Sequence, residues 1–308
     1  MKGILLDSKI PLEQVSRGKV RDVYRIGDKS GKLLIVTTDR ISAFDVVMKT
    51  HVERGELLNA ISKFWFNRHS GYCNNHLFPK QETEMWKLFG AEHQIYSCRC
   101  MVVRELAMLP FEFIVRSHLT GTAYTEYLKS GTVSGVPVAK DLKQFDQIPG
   151  DPIFCVTTKE KHGHDREVRF ADVCDKLGVE LASQVRDVSL ELFKRSQQIC
   201  KKTNIPNYPN AVLTLADAKL EFGLWNGQLM WADEAFTPDC SRYWIRDGER
   251  IDHLSKQILR DHLSEQKSIG AWNGRKAIAL HPNLCRKIER KYQFLHDLLL
   301  YHLAGNQI

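Results

Sequence analysis

The order of hydrophobic and polar residues along the chain predicts six strands and five helices. Runs rich in β-branched and aromatic residues, bounded by turn residues, predict strands at 22–27, 32–38, 95–103, 111–115, 211–224 and 228–232. Apolar residues at helical spacing predict helices at 56–69, at 122–129, after Gly178, around 254–259 and after Pro282. Strands precede helices in both halves, an order that favours an α+β fold over a doubly wound parallel sheet.

Length and charge narrow the class of protein. The chain has 308 residues, which at roughly 150 residues per domain predicts two associated domains, 1–108 and 109–308. Lys and Arg number 44 against 37 Asp and Glu, a formal charge of +7. Because these charges are dispersed rather than clustered, they disfavour a nucleic-acid partner. They remain compatible with small anionic metabolites as substrates.

Three features bear on where the protein acts. No apolar run approaches the roughly 18 residues of a membrane helix, and the N-terminal residues reach Asp7 too soon for a signal peptide. The eight cysteines include one close pair, Cys98 and Cys100, so neither a disulfide framework nor a zinc site is indicated. We therefore expect reduced thiols and a cytoplasmic protein without a membrane partner, either a monomer or a dimer.

A basic loop and a polar segment near the N-terminus are candidate binding elements. Gly18 precedes a strand with Lys19 and Arg21 on one face, which suits the phosphates of a nucleotide, although an ordinary basic turn has the same composition. Residues 37–45 follow a buried strand and suit either the edge of a site or a capped turn. The polar residues of that segment include Asp39, Ser42 and Asp45.

A charged strand and the turn after it predict an anion site. Glu112 and Arg116 share one face of an otherwise apolar strand, where unpaired charges are costly. Gly121-Thr122 then opens a helix whose first N–H groups favour an anion, so the region suits a phosphate monoester. Glu112 could contact a nucleotide or support Arg116, and the sequence does not separate the two.

The polar segment 157–165 is predicted to be a loop that covers the substrate, with a plain surface loop as the alternative. His162 and His164 lie in it without a third ligand at suitable spacing, which makes a poor metal site.

The hairpin formed by the last two predicted strands carries the most informative pattern. Asp217, Lys219 and Glu221 alternate onto one strand face, and Asp233 follows the second strand. Carboxylates from paired strands can hold Mg²⁺ beside a nucleotide triphosphate. A structural row of salt bridges is the alternative.

The length of the hairpin loop decides whether these carboxylates meet. A two-residue loop, Asn226-Gly227, would place Asp233 opposite Leu220 and away from Glu221. A three-residue loop with a bulge would place Asp233 opposite Lys219. Since only the second arrangement puts both carboxylates on one face, we predict the three-residue loop.

Together these segments resemble the SAICAR synthetase family, over most of the chain. The matching runs are Gly18-Lys19-Val20-Arg21, Pro110-x-Glu112 to Gly121-Thr122, Asp217-x-Lys219-Leu220-Glu221-Phe222-Gly223, and Arg242-Tyr243-Trp244. The resemblance implies an N-terminal, kinase-like antiparallel β domain beside a larger α+β domain that binds ATP. It also implies a purine-pathway ligase that joins L-aspartate to the carboxylate of CAIR, using ATP and Mg²⁺, through an acyl phosphate.

The resemblance further implies roles for individual residues. Those expected to bind ATP are Gly18, Lys19, Arg21, Arg104, Leu106 and Glu112. Those expected to bind CAIR or aspartate are Asp39, Ser42, Asp45, Arg116, Thr122, His164, Asp165 and Arg242. Glu221 and Asp233 are expected to hold Mg²⁺, with Lys219 and Asp217 as catalytic residues beside the reacting groups.

Two positions depart from the family pattern. Thr122 stands where the family usually has Ser, which keeps the hydroxyl and adds a methyl group. The run Cys155-Val156-Thr157-Thr158-Lys159 stands where many members read Thr-Pro-Ser-Thr-Lys, and so lacks the proline. A protein kinase is disfavoured because neither His-Arg-Asp nor Asp-Phe-Gly occurs, which leaves another ATP-dependent carboxylate–amine ligase or a small-molecule kinase as the alternative.

Overall fold

The computed structural model describes residues 4–28, 30–90, 96–159 and 166–301. Within those ranges we number the strands and helices in chain order. The strands are β1 Glu13–Arg17, β2 Arg21–Ile26, β3 Lys32–Thr37, β4 Arg40–Ala43, β5 Val46–His51, β6 Cys100–Arg104, β7 Ala107–Met108, β8 Phe111–Arg116, β9 Thr132–Val133, β10 Val136–Pro137, β11 Ile153–Thr158, β12 Glu167–Val168, β13 Val212–Trp225, β14 Gln228–Ala232, β15 Ser241–Asp247 and β16 Arg250–His253. The helices are α1 Gly55–Arg68, α2 Gln81–Phe89, α3 Thr122–Ser130, α4 Phe170–Leu177, α5 Val179–Lys201, α6 Gln257–Ser268 and α7 Pro282–Leu300.

Two antiparallel sheets contain most of the strands. The first has the order β1-β2-β3-β6, and the second has the order β12-β11-β8-β13-β15-β16, with β7 and β14 also paired to β13. The long strand β13 pairs with β8 and β15 through its first part and with β14 and β7 through its last. The predicted α+β class is confirmed.

The buried apolar side chains join elements from both halves of the chain. One cluster brings Trp65 of α1 together with Phe113 of β8 and Trp231 of β14. Another brings Leu58 of α1 together with Tyr292 of α7. Elements on both sides of residue 108 therefore share buried surface, and the domain limits 1–108 and 109–308 stay a prediction.

The predicted helices and most predicted strands agree with the structure to within a few residues. The strand predicted at 95–103 is the shorter β6, because the backbone of residues 96–99 turns before Cys100. Helices α2 and α4, of 9 and 8 residues, were not predicted.

All eight cysteines lie in the described ranges, and all are free thiols. In those same ranges, no helix has the length and apolar character that crossing a bilayer requires.

Candidate active site

Thirteen of the predicted site residues line one cleft of about 710 Å³. The cleft is bordered by the loop before β2, the β4–β5 turn, β8, β13 and the segments around β15 and α6. The thirteen are Gly18, Lys19, Arg21, Ser42, Asp45, Glu112, Arg116, Thr122, Asp217, Lys219, Glu221, Asp233 and Arg242.

Lys219 is surrounded by carboxylates at one end of the cleft. Its Nζ contacts Glu221 and lies 2.9 Å from Glu112 Oε1 and 4.0 Å from Asp233 Oδ2. Burial alone would lower the pKa of Lys219, but the three carboxylates raise that pKa well above its ordinary value. The Lys219 ammonium is therefore a permanent positive charge at neutral pH and not a proton acceptor.

Arg21, which belongs to the first sheet, lies at the same end of the cleft. Its Nη2 donates to Asp233 Oδ2 at 3.0 Å and to Glu234 Oε1 at 2.8 Å. Gly18 N donates to Arg21 O at 2.7 Å, and a Cβ on Gly18 would lie 2.9 Å from that oxygen. Only glycine therefore allows the loop to turn tightly enough to bring Arg21 into the cleft.

Lys19 and the β4–β5 turn form the outer rim of the cleft. Lys19 Nζ contacts Asp45, and both side chains are about half exposed. Phe44 and Asp45 have positive φ values of 51° and 61°, which are uncommon for residues other than glycine. This turn directs Asp45 towards the basic loop.

The β13–β14 hairpin has a different register from the one predicted. Trp225 pairs with Gln228 and Glu221 pairs with Ala232, so the loop has two residues, Asn226-Gly227. Both loop residues have positive φ, which is typical of the type I′ turns that join two-stranded hairpins. The predicted three-residue loop is wrong.

Asp233 nevertheless reaches the face of Lys219, for another reason. Strand β14 ends at Ala232, and Asp233 has a positive φ of 61°, so its side chain does not continue the alternation of the strand. The ladder between β13 and β14 ends at the Glu221–Ala232 pair, so Asp233 lies beyond it and is not paired with Leu220. The reversal of the backbone after the strand brings the carboxylates together.

The other end of the cleft is built around Asp217. In the sheet, Asp217 pairs with Arg116 of β8 on one side and with Arg242 of β15 on the other. Arg242 Nη1 contacts the Asp217 carboxylate, and Arg242 Nε donates to Gln257 Oε1 at 2.9 Å. These contacts hold the Arg242 guanidinium in one orientation.

Gly121 allows Arg242 to approach the start of α3. Its φ is +57°, and a Cβ at this position would lie 2.3 Å from Arg242 Nη2. Thr122 is the first residue of α3 and also lines the cleft, so the first N–H groups of the helix, which lack partners within it, lie at this end of the cleft. Arg116 is buried nearby, and its Nε has no hydrogen-bond partner among the described residues.

Comparison with known proteins shows the family to which the chain belongs. The family model described as SAICAR synthetase matches residues 14–275. The chain belongs to the SAICAR synthetase family. The phosphoribosylaminoimidazole-succinocarboxamide synthase of Thermodesulfovibrio yellowstonii is 36% identical over 306 residues, which cover 97% of this chain and 99% of that protein. The synthase of the same name from Syntrophotalea carbinolica is 39% identical over 271 residues, which cover 84% of this chain and 86% of that protein.

A solved structure supports the same family assignment. The Saccharomyces cerevisiae SAICAR synthase, solved in complex with SAICAR, superposes with a TM-score of 0.79 at 31% identity. The superposition covers 96% of this chain and 97% of that protein. The SAICAR synthase-like α+β fold implied by the resemblance is therefore confirmed.

Asp39, which was expected to bind substrate, does not line the cleft. Its Oδ1 accepts from the N–H groups of Arg54 and Gly55 at 3.0 and 2.8 Å, and its Oδ2 accepts from Leu5 N at 2.8 Å. The Asp39 carboxylate thus caps the N-terminus of α1 from a distant strand end. These contacts give Asp39 a structural role, and its expected contact with substrate stays a prediction.

Arg104 and Leu106, expected to bind ATP, also do not line the cleft. Arg104 donates to Leu77 O at 2.7 Å, and its guanidinium lies over the Trp225 ring. Leu106 packs closely on Gly223: a Cβ added to Gly223 would lie 2.8 Å from Leu106 Cβ. The other two expected residues, His164 and Asp165, lie outside the described residues.

Five charged cleft residues were missing from the sequence prediction: Lys159, Glu234, Asp239, Lys256 and Arg260. Lys159 contacts Glu221, and Glu234 accepts from Arg21. Lys256 and Arg260 line the cationic end. Glu234 could have been found as the neighbour of Asp233, whereas a Lys and an Arg four residues apart on a helix have the pattern of an ordinary solvated face.

The residues at the acidic end fit Mg²⁺ in the chemistry of their side chains. Among the described residues, no group of three or more His, Cys, Asp and Glu is arranged to hold a metal ion. Mg²⁺ at nucleotide sites, however, is usually bound by one or two carboxylates together with phosphate oxygens and water. Glu221 and Asp233, which both approach Lys219, supply that donor set.

Proposed function

We propose that the protein joins L-aspartate to the carboxylate of CAIR and converts ATP to ADP and phosphate, giving SAICAR. The observation that carries this proposal is the division of one cleft into an acidic end around Lys219 and a cationic end around Arg242. All three reactants are anions, so such a ligase must hold and neutralise them together. Membership of the SAICAR synthetase family supports the same reaction.

ATP belongs at the acidic end in this proposal. Lys19 and Arg21 reach the cleft from the loop and strand of the first sheet, and Lys219 faces them from β13. Glu221 and Asp233 would hold Mg²⁺, which when bound neutralises charge on the phosphates. Glu112 accepts a hydrogen bond from Lys219 at 2.9 Å, which would hold the Lys219 ammonium group in position.

The phosphate of CAIR belongs at the cationic end. Arg242 and Arg116 supply guanidinium groups, and Thr122 supplies a hydroxyl at the N-terminus of α3. The unpartnered Nε of Arg116 has a free N–H for such an anion. Ser42, Asp45 and Asp217 also line the cleft and would orient the imidazole and the incoming amine.

The proposed reaction has two steps. A carboxylate oxygen of CAIR attacks the γ-phosphorus of ATP, the bond to the bridging oxygen breaks, and ADP leaves with the electron pair. The amine of aspartate then attacks the acyl carbon of this acyl phosphate, the bond to the phosphate oxygen breaks, and the amine loses a proton. Lys219, held as a cation by its carboxylates, stabilises negative charge in the first step.

We also propose a cytoplasmic location and small-molecule partners, without nucleic acid or membrane. The eight free thiols support a reducing compartment.

The test is ATP turnover with each reactant omitted in turn. We expect ADP release that requires CAIR, and SAICAR formation that also requires aspartate and Mg²⁺. ADP release that is independent of CAIR would overturn the ligase proposal.

A further inference from the structure

The basic loop that precedes β2 is held by two residues of the segment that joins β3 to β4. Arg40, the first residue of β4, donates from Nη2 to Gly18 O at 3.0 Å and from Nε to Lys19 O at 3.4 Å. Thr38 donates to the next carbonyl, Val20 O, from its backbone N at 3.0 Å and from Oγ1 at 2.5 Å. Three consecutive carbonyl groups of the loop are therefore fixed by residues 38 and 40.

The Arg40 guanidinium has every one of its donors in use. Its Nη1 donates to Leu6 O at 2.6 Å and to Asp22 Oδ2 at 3.3 Å, and its Nη2 also donates to Asp22 Oδ1 at 2.6 Å. With the two loop carbonyls, these contacts match the five N–H groups of an arginine. The Arg40 and Asp22 side chains are only 8% and 0% exposed, so the guanidinium joins the N-terminal segment, the loop and β2 and has no N–H group left for a substrate.

The residues that Arg40 holds in place are the ones that reach the cleft. Lys19 and Arg21 line the cleft, whereas Arg40 does not. The turn between them is also closed by Gly18 N, which donates to Arg21 O at 2.7 Å. A loop whose carbonyls are fixed presents its cations at defined positions, and such preorganisation lowers the free-energy cost of binding an anion.

We propose that Arg40 is a positioning residue for ATP, because it holds residues 18–20 in the conformation that presents Lys19 and Arg21 to the phosphates. The identity of the ligand as ATP rests on the proposed function. Since the Arg40 side chain contacts the loop and not the cleft, its loss should weaken ATP binding and leave the site around Arg242 unchanged.

The test uses three variants of this pair and one matched control. Arg40→Gln removes the fork of donors, and Arg40→Lys keeps the charge with three donors. The double variant Arg40→Gln with Asp22→Asn also removes the buried carboxylate that Arg40→Gln leaves unpaired. The control is Arg99→Gln, since Arg99 is about as buried as Arg40 and binds the carboxylates of Asp39 and Glu56 outside the loop.

Four quantities are measured for each variant. Calorimetry gives the Kd of ATP with Mg²⁺ in the absence of CAIR and aspartate. Steady-state kinetics give KM for ATP and KM for CAIR separately. Hydrogen exchange reports the opening of the backbone N–H groups of residues 18–21 without ligand, and thermal unfolding gives the melting temperature.

We expect Arg40→Gln and the double variant to raise the Kd and KM of ATP at least about tenfold and to change KM for CAIR less than about twofold. Exchange at residues 18–21 should be faster in both. The double variant should melt at a higher temperature than Arg40→Gln yet bind ATP as weakly, a combination that a merely structural role does not give. Arg40→Lys should recover part of the ATP affinity. Arg99→Gln should lower the melting temperature and leave the ATP values near those of the wild type.

Wild-type ATP affinity and wild-type exchange in Arg40→Gln would overturn the proposal. A rise of KM for ATP in Arg99→Gln equal to that in Arg40→Gln would also overturn it, as would an equal rise in both KM values in the double variant, because these patterns indicate a general loss of structure. A wild-type protein that binds ATP but forms no SAICAR would contradict the proposed function alone, and the calorimetry and the exchange would still decide the role of Arg40.

Discussion

Arg21 and Asp233 are 212 residues apart in the sequence, yet Arg21 Nη2 and Asp233 Oδ2 lie 3.0 Å apart across the cleft. The contact joins the first residue of β2 to the loop after β14. The two side chains are only 18% and 27% exposed, and each has a second partner, because Arg21 also donates to Glu234 and Asp233 also lies 4.0 Å from Lys219. Asp233 is thus held in position by cations before any nucleotide or metal is bound.

The charge of Asp233 and Glu221 should set the requirement for Mg²⁺. Asp233→Asn and Glu221→Gln keep the shape of each side chain and remove one negative charge. We expect the Mg²⁺ concentration at half-maximal activity to rise at least about tenfold in each variant. Glu249→Gln, exposed between β15 and β16, is the matched control. If both cleft variants keep the wild-type Mg²⁺ requirement, these carboxylates do not hold the metal.

Gly121 should be required for activity as well as for backbone conformation. Gly121 and Gly131 both have positive φ, 57° and 69°, but a Cβ on Gly131 would meet nothing within 4 Å, whereas one on Gly121 would meet Arg242. Alanine at either position should destabilise the fold by about 1–2 kcal/mol. We expect only Gly121→Ala to raise KM for CAIR, by about tenfold or more, because it displaces the guanidinium. Equal KM values for the two variants would contradict this role of Gly121.

Asp39 should contribute to stability and not to substrate affinity. Asp39→Ala leaves the N–H groups of Arg54 and Gly55 without their acceptor and removes the carboxylate beside the buried Arg99. We expect chemical denaturation to show a loss of about 2–4 kcal/mol in the free energy of unfolding, with KM values near those of the wild type. Asp28→Ala, exposed in the β2–β3 turn, should change neither. A large rise in KM without loss of stability would restore the original substrate-binding hypothesis.

Parts of the site could be predicted because the strand period applies locally. Asp217, Lys219 and Glu221 alternate on β13, so sequence alone places them on one face. The same rule places Glu112 and Arg116 together on β8. Their meeting across the sheet depends on the pairing of β8 with β13, which no local pattern determines.

Other parts depend on three-dimensional features without a sequence signal. The predicted three-residue hairpin loop was wrong because Asp233 does not continue the strand, since its positive φ ends the alternation. Asp39 had the pattern of a site residue, although its carboxylate caps a helix that begins 16 residues later. Arg260 had the pattern of a solvated helix position, and only the packing of α6 against the cleft distinguishes it.

His69 predicts how stability depends on pH. The residue is buried at the end of α1, its ring stacks on Trp65 with centroids 5.7 Å apart, and its Nε2 lies 2.8 Å from Ser196 Oγ. Burial lowers the pKa of His69 from 6.5 to about 4, and the charges of Arg195 and Arg68 contribute to the decrease. The unfolded chain therefore binds a proton near pH 6.5, whereas the folded protein binds it only near pH 4.

The contribution of His69 is complete above about pH 6.5 and decreases as the pH falls to about 4, with a total of about 3 kcal/mol at 1.36 kcal/mol per pH unit. His69→Gln keeps a polar group near Ser196 and does not titrate. We expect this variant to lower the slope of unfolding free energy against pH by one proton between about pH 6 and 4.5. Ser196→Ala, the control, should lower stability by a similar amount at each pH and leave the slope unchanged, because His69 still titrates. A His69→Gln protein with the wild-type slope would show that the proton is taken up elsewhere, since the slope counts only protons that bind the unfolded chain more tightly than the folded one.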